Sequence, residues 1–244
     1  MITLYAIGEG FGLPEISPYV TKTEVQLKMA GVPYRKVRGR REDSPKGQLP
    51  YIEAEGEQIA DSTFIRGFLE RTYGLDLDAG LDARQRGEAW AIERMLENHF
   101  SWVGMHARWL IADNFAKGPA QFFDALPEGV REAVRRDAQE RIRGTVFAVG
   151  IGRHSEAEIV ALGMRSLAAL SAILGERRYL MGDRPCGADA TCFGLLAFAL
   201  TPFFDGELRR QAEGFANLVA YVDRMMAEFY PEFRWQAADA AFAA

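Results

Sequence analysis

The sequence predicts an α+β protein in two parts, a small α/β sheet domain followed by an all-helical domain. Three observations carry that prediction. Strand-like and helix-like patterns alternate as far as Tyr73, strand signals cease after Leu75-Asp76-Leu77-Asp78-Ala79-Gly80, and the rest reads as capped helices. At 244 residues with 48% hydrophobic content, the chain can fill a core in each part.

Thr3 to Ile7 is a short apolar strand, and Pro18 to Ala30 is a helix with apolar Val20, Val25, Leu27 and Met29, stopped by Gly31. Tyr34 to Val37 is a second strand that leads into an Arg-rich loop; the basic stretch Arg35 to Arg41 is followed at once by Glu42 and Asp43. Tyr51 to Ile59 is a hairpin around Glu55-Gly56-Glu57, and Asp61 and Ser62 open a helix through Tyr73. The sheet domain therefore covers 1–75, a linker 76–82, and the helical domain 83–235. In the helical domain Ala83 to Asn114 reads as one long helix and Val130 to Val149 as another. Ser155-Glu-Ala-Glu158 is a capping box opening a third helix that ends at Gly175, and Gly187 to Leu200 and Leu208 to Phe229 follow. The Ala-rich end, 236–244, has little to bury and is expected to be loosely ordered.

A net charge of -5, with arginines interleaved among Asp and Glu, argues against a nucleic-acid partner or an anionic membrane. The segment after Met1 is strand-like and has no basic flank or cleavage site of a secretory signal. No apolar stretch is read as long enough to span a bilayer, Leu195 to Phe204 coming nearest, so a cytoplasmic location and no membrane partner are expected. Cys186 and Cys192, six residues apart on a predicted helix, are expected to be free thiols in a reducing compartment. The three histidines and two cysteines lack metal-ligand spacing, so no metal is expected.

Three short motifs point to chemistry. Ser17-Pro18-Tyr19 stands where the first strand gives way to the first helix, so Ser17 reads first as an N-cap; the functional alternative is that its hydroxyl and the helix-end N–H groups face a bound thiolate. Leu49-Pro50, directly before a strand, suits a cis peptide that turns the backbone groups of Leu49 outward toward a peptide-like ligand. Asp61-Ser62 caps the second helix beside it. Gly182 to Asp189 is a further helix start, with Cys186 at the cap and Asp189 closing the box.

In order and spacing these motifs resemble the glutathione transferase superfamily across nearly the whole chain. The resemblance implies a thioredoxin-like N-terminal domain with a mixed four-stranded sheet, an all-α C-terminal domain, and glutathione as co-substrate. It implies that Ser17 contacts the glutathione sulfur, with Tyr5 of the first strand as the rival hydroxyl. Leu49-Pro50 would hold the cysteinyl backbone, Asp61-Ser62 would receive the γ-glutamyl end, and Gln48 would lie near the glycyl end, where an arginine of the basic stretch is a further candidate. A small hydrophobic electrophile would bind against Tyr19, Phe100, Trp102, His106 and Trp109, core packing being the competing role for the large rings. A homodimer is implied as well. Met29-Ala30-Gly31-Val32-Pro33-Tyr34 and Gly150 to Ser155 resemble the metaxin and failed-axon-connections branch, and the excess of Arg over Lys fits a bacterial member. That branch implies an alternative, a non-catalytic binding or assembly module that keeps the fold.

The magnitudes permit catalysis. Lowering a thiol pKa from about 8.5 to roughly 6.5 takes about 2.7 kcal/mol. A partly buried helix end supplies up to ~2 kcal/mol and a hydrogen bond to a charged group about 1.5–3 kcal/mol.

Overall fold

The computed structural model describes residues 1–235, so the expectation for the Ala-rich end lies outside the described residues. β1 (Ile2–Ala6), α1 (Pro18–Met29), β2 (Tyr34–Arg38), β3 (Tyr51–Ala54), β4 (Glu57–Ala60) and α2 (Ser62–Tyr73) form the sheet half. The sheet is mixed, in the order β2-β1-β3-β4, with β1 parallel to β2 and the remaining pairs antiparallel. Side chains alternate along β1: Ile2, Leu4 and Ala6 enter a core with Val20, Leu27, Ile52, Ile65 and Leu69. Tyr5 stands on the other face, its ring stacked on Tyr51 at 4.2 Å and its hydroxyl donating to Glu53 at 3.0 Å.

The helical half contains α3 (Ala83–Met95), α4 (Ser101–Trp109), α5 (Ala112–Lys117), α6 (Glu128–Ala148), α7 (Glu156–Leu174), α8 (Gly187–Leu200), α9 (Glu207–Ala212) and α10 (Ala216–Phe229). Two expected helices are divided. Between α3 and α4, Leu96–Phe100 forms a π-helical turn, and the chain breaks again at Leu110 before α5. A π turn inserts a residue without a Gly or Pro to mark it, so it is silent in the pattern of Ala83 to Asn114. Asn114 secures the second break by donating to the Ala107 carbonyl at 3.0 Å. The expected Leu208 to Phe229 helix divides into α9 and α10 around Gly214.

One sequence reading needs correction. The 19-residue α7, with a mean hydropathy of 1.6, is long and apolar enough to cross a membrane, contrary to the reading that no stretch is. A stripe of Ile159, Gly163, Ser166, Leu167, Leu170 and Leu174 is buried on it. α8, which the sequence placed at Gly187 to Leu200 as an interior helix, is buried along its whole length. The side chain of Asp189 fixes its start by accepting from the Cys186 N–H at 2.8 Å, the Leu180 N–H at 3.0 Å and the Tyr221 hydroxyl at 2.8 Å. Cys186 and Cys192 are free and buried, and burial pushes both thiols up, away from thiolate chemistry.

α1 joins the halves. Every residue from Val20 to Leu27 is buried, polar ones included, because the helix packs on the sheet with one face and on α8 with the other. Three of its polar side chains find partners outside the helix: Lys22 meets Glu93 and Glu97, Glu24 takes the Tyr34 and Tyr230 hydroxyls, and Gln26 donates to the Gly187 carbonyl.

Candidate functional site

A cleft of about 510 Å³ opens where the sheet half faces α3 and α4. Its sheet-side wall is built from the two motifs that follow the first helix. The Leu49-Pro50 peptide is cis, and the backbone N–H and C=O of Leu49 pair with no backbone group among the described residues. An extended ligand can therefore add to this edge as a strand would. Asp61 sits at φ 76, a strained position for a residue with a Cβ, and its carboxylate accepts the Thr63 N–H at 2.9 Å to cap α2. Ser62 opens the helix beside it, and Lys46 and Gln48 complete this wall. The Lys46 ammonium lies 3.9 Å from the centre of the Phe64 ring.

The helical wall brings Arg94, Glu97, Asn98 and Trp102 to the cleft, with Val149 from the end of α6. Here the π turn matters, because Glu97 lines the cleft while its carboxylate is held from behind. Oε1 accepts from Lys22 at 2.7 Å and Oε2 from Arg94 at 2.8 Å. Lys22, 1% exposed, also meets Glu93 at 3.0 Å; Glu93 in turn accepts from Thr191 and Arg66, and Arg66 pairs with Asp78 at 2.6 Å. Asp78 also accepts the Gly187 N–H at 2.9 Å. One buried ionic network thus ties α1, α2, α3, α8 and the segment at Asp78 together behind the helical wall.

The first helix reaches the cleft through Tyr19, whose hydroxyl donates to the Glu97 carbonyl at 3.4 Å. Burial raises the pKa of this phenol, which keeps it protonated. Ser17 lies two residues earlier, 9% exposed, with Oγ accepting the Val20 N–H at 3.4 Å. Its own N–H is taken by Glu15 at 3.1 Å, and Glu15 also receives the Gly8 N–H at 3.0 Å. Burial pushes the Glu15 carboxyl up to about 7, despite those two N–H donors and Lys36 nearby. The Gly8–Ile16 loop is thereby pinned at its base, while its tip docks on the helical half. There Phe11 lies against Phe203 and Phe204, and its carbonyl accepts from Thr201 at 2.6 Å.

Of the residues singled out in the sequence, the cleft collects Tyr19, Gln48, Leu49, Pro50, Asp61, Ser62 and Trp102. Ser17 adjoins it at the start of α1 without lining it. Four others lie elsewhere. Tyr5 is held on its own sheet face by Tyr51 and Glu53, and Phe100 is buried in the helical core. Trp109 packs on Phe115 and Phe122, and His106 lines a separate cavity in the helical half. Phe100 ends the π turn and Trp109 stands nine residues on, about two and a half α-helical turns, so the two rings lie on opposite sides of the helix. None of the arginines between Arg35 and Arg41 lines the cleft; Lys46 is the cation at that end. Lys46, Arg94, Glu97 and Asn98 escaped the sequence reading. For Lys46 a signal existed, since it stands two residues before Gln48, which the resemblance puts near the glycyl end.

Residues 18–114 match the glutathione S-transferase N-terminal domain, and residues 163–225 match the glutathione S-transferase C-terminal domain. Failed axon connections of Drosophila melanogaster is 35% identical over 96% of this chain, which spans 59% of that protein's length. Isoprene-epoxide–glutathione S-transferase of Rhodococcus sp. (strain AD45) is 30% identical over 94% of this chain and 99% of its own length. Metaxin-1 of Sus scrofa is 26% identical over 97% of this chain and 76% of its own length. Among solved structures, a beta-etherase from Sphingobium sp. strain SYK-6 superposes with a TM-score of 0.68 at 19% identity, covering 95% of this chain and 99% of that one, a likeness of fold. The cis turn at Leu49-Pro50, the Asp61-Ser62 helix start and these matches together establish that the chain belongs to the glutathione S-transferase superfamily, among relatives that include failed axon connections and the metaxins.

Proposed function

We propose that the protein binds glutathione in this cleft and presents its thiolate to a small electrophile. The observation that carries the reading is the conjunction, in one cleft, of an unpaired Leu49 backbone edge with the Asp61-Ser62 helix start. The cysteinyl backbone pairs with Leu49, the γ-glutamyl ammonium meets Asp61, and its carboxylate meets Ser62 at the start of α2. Lys46 and Gln48 receive the glycyl carboxylate. The sulfur then points toward the start of α1, where Ser17 Oγ–H and the Tyr19 N–H are the donors not committed to Glu15 or to the helix ladder.

The electrophile lies against Trp102, with Arg94 and Asn98 beside it. Epoxides are the first class to assay, given the named activity of the Rhodococcus relative. In that reaction the sulfur–carbon bond forms, a ring carbon–oxygen bond breaks, and the resulting alkoxide takes a proton from water. A homodimer in the cytoplasm belongs to the same proposal.

A second reading, a non-catalytic binding module, is favoured by the buried, cap-forming position of Ser17 and by the failed-axon-connections and metaxin relatives. Calorimetric titration with glutathione, followed by turnover assays on an electrophile panel, separates the two. Saturable binding with turnover supports the enzyme. An absence of binding at millimolar glutathione rejects it, and binding without turnover favours the second reading.

A further inference from the structure

The helical half contains a second cavity of about 60 Å³ that shares no lining residue with the cleft. His106 and Arg108 of α4 face it, together with Phe198 of α8 and Phe204. Arg108 is 4% exposed, yet no carboxylate among the described residues comes within 4.0 Å of its guanidinium. The one hydrogen bond it makes among those residues runs from Nη2 to the Phe198 carbonyl at 2.5 Å. Burial without a counter-charge pushes its pKa down. A guanidinium nonetheless keeps its proton in proteins, so the cation remains and calls for compensation.

The surroundings are shaped around this cation. The Phe198 ring centre lies 3.2 Å from the guanidinium carbon and that of Phe204 4.5 Å. Both rings occupy space that glycines leave open: a Cβ on Gly104 would stand 2.4 Å from Phe198 Cε1, and one on Gly118 2.6 Å from Phe204 Cε1. A second guanidinium, Arg209, lines the same cavity; its Nε is buried without a hydrogen-bond partner, while its terminal nitrogens pair with Glu213 at 2.5 Å and reach Asp205 at 4.0 Å. The acidic residues at the cavity are exposed at its rim, where Asp205 and Glu207 pair with Arg210 and Glu156 stands at the start of α7. Arg108 is thus the guanidinium at this cavity left without a carboxylate partner among the described residues, and aromatic rings cover it.

We propose that this cavity is a binding site for a small oxyanion, either inorganic phosphate or sulfate or a short carboxylate, held by the free edge of the Arg108 guanidinium and by the His106 imidazole. Two acceptor oxygens on one atom match the fork of a guanidinium. At roughly 15 Å³ per water, the cavity has room for about four waters, which suits an ion of this size.

The test is calorimetric titration of the full chain with sodium phosphate and, separately, with sodium acetate, ionic strength being held constant with chloride. The site predicts saturable binding of one ion per chain for at least one of the two. Preference for phosphate assigns the inorganic oxyanion and preference for acetate the carboxylate. Arg108→Lys, which keeps the charge and loses the fork, weakens binding at least about tenfold. His106→Leu also weakens it, and carries the test alone if the Arg108 variant does not fold. Ser62→Ala in the cleft leaves anion binding unchanged. Absence of saturable binding to the parent protein, affinities unaltered by both cavity variants, or displacement of the anion by glutathione would each overturn the proposal.

Discussion

The two walls of the cleft are made in different ways. The sheet-side wall consists of backbone features, the outward edge at Leu49 and the helix start at Ser62, each fixed by residues adjacent in sequence. The helical wall consists of side chains, Arg94, Glu97, Asn98 and Trp102, whose positions depend on a π turn and on a buried lysine from the other half of the molecule. The first wall can hold the constant part of a tripeptide ligand, because main-chain pairing is indifferent to side-chain variation. The second can change its chemistry without disturbing the first. Removing Lys22 attacks the second wall where it is anchored; changing Ser62 attacks the first.

Lys22→Met carries the largest expected effect. It leaves Glu93 and Glu97 buried with one cation fewer, and loss of one partner from such a pair costs about 3–5 kcal/mol. A fall of that size in urea-unfolding stability is expected; a change near zero would show that the network does not anchor the helical wall.

The next effect comes from Glu15 at the base of the loop before α1. Its carboxyl is raised from the usual 4.5 to about 7, so between those values the folded state holds more protons than the unfolded state. Stability from this group is complete below pH 4.5 and is lost as pH rises through about 7, by about 3 kcal/mol in all. Replacing Glu15 by Gln should flatten that slope in denaturation curves taken across the window, and an unchanged slope would place its origin in another group.

Ser62→Ala tests the sheet-side wall. Loss of a hydrogen bond to a charged ligand group is worth about 1.5–3 kcal/mol, roughly tenfold or more in glutathione affinity. Trp102→Ala gives the smallest effect on that affinity and should alter turnover with different electrophiles instead. Equal losses of glutathione binding in both variants would erase the distinction between the walls.

That distinction also explains what the sequence could reveal. Ser17-Pro18, Leu49-Pro50 and Asp61-Ser62 act through local backbone geometry, so a few neighbouring residues announce them; the order of strands and helices follows from periodicity and caps, and the mixed sheet from the family resemblance. The helical wall depends on contacts across the molecule. Lys22 reads as an ordinary surface position on a helix, but α8 covers that face and turns it into the interior partner of Glu97. The π turn carries no Gly or Pro signature, and Phe100 and Trp109, expected at the cleft, pack instead inside the helical half through contacts that no local pattern shows. The setting of Arg108 is likewise illegible locally, because the rings that pack on it come from positions 198 and 204.

The central claim is that the start of α1 stabilises a glutathione thiolate through Ser17. Ultraviolet absorbance of the thiolate, followed against pH in the complex of protein and glutathione, tests it most directly. The account predicts ionisation at least about one unit below the free-thiol value of about 8.5, with a return toward that value in Ser17→Ala. Ionisation at the free value, or a lowered value that Ser17→Ala leaves in place, would contradict it.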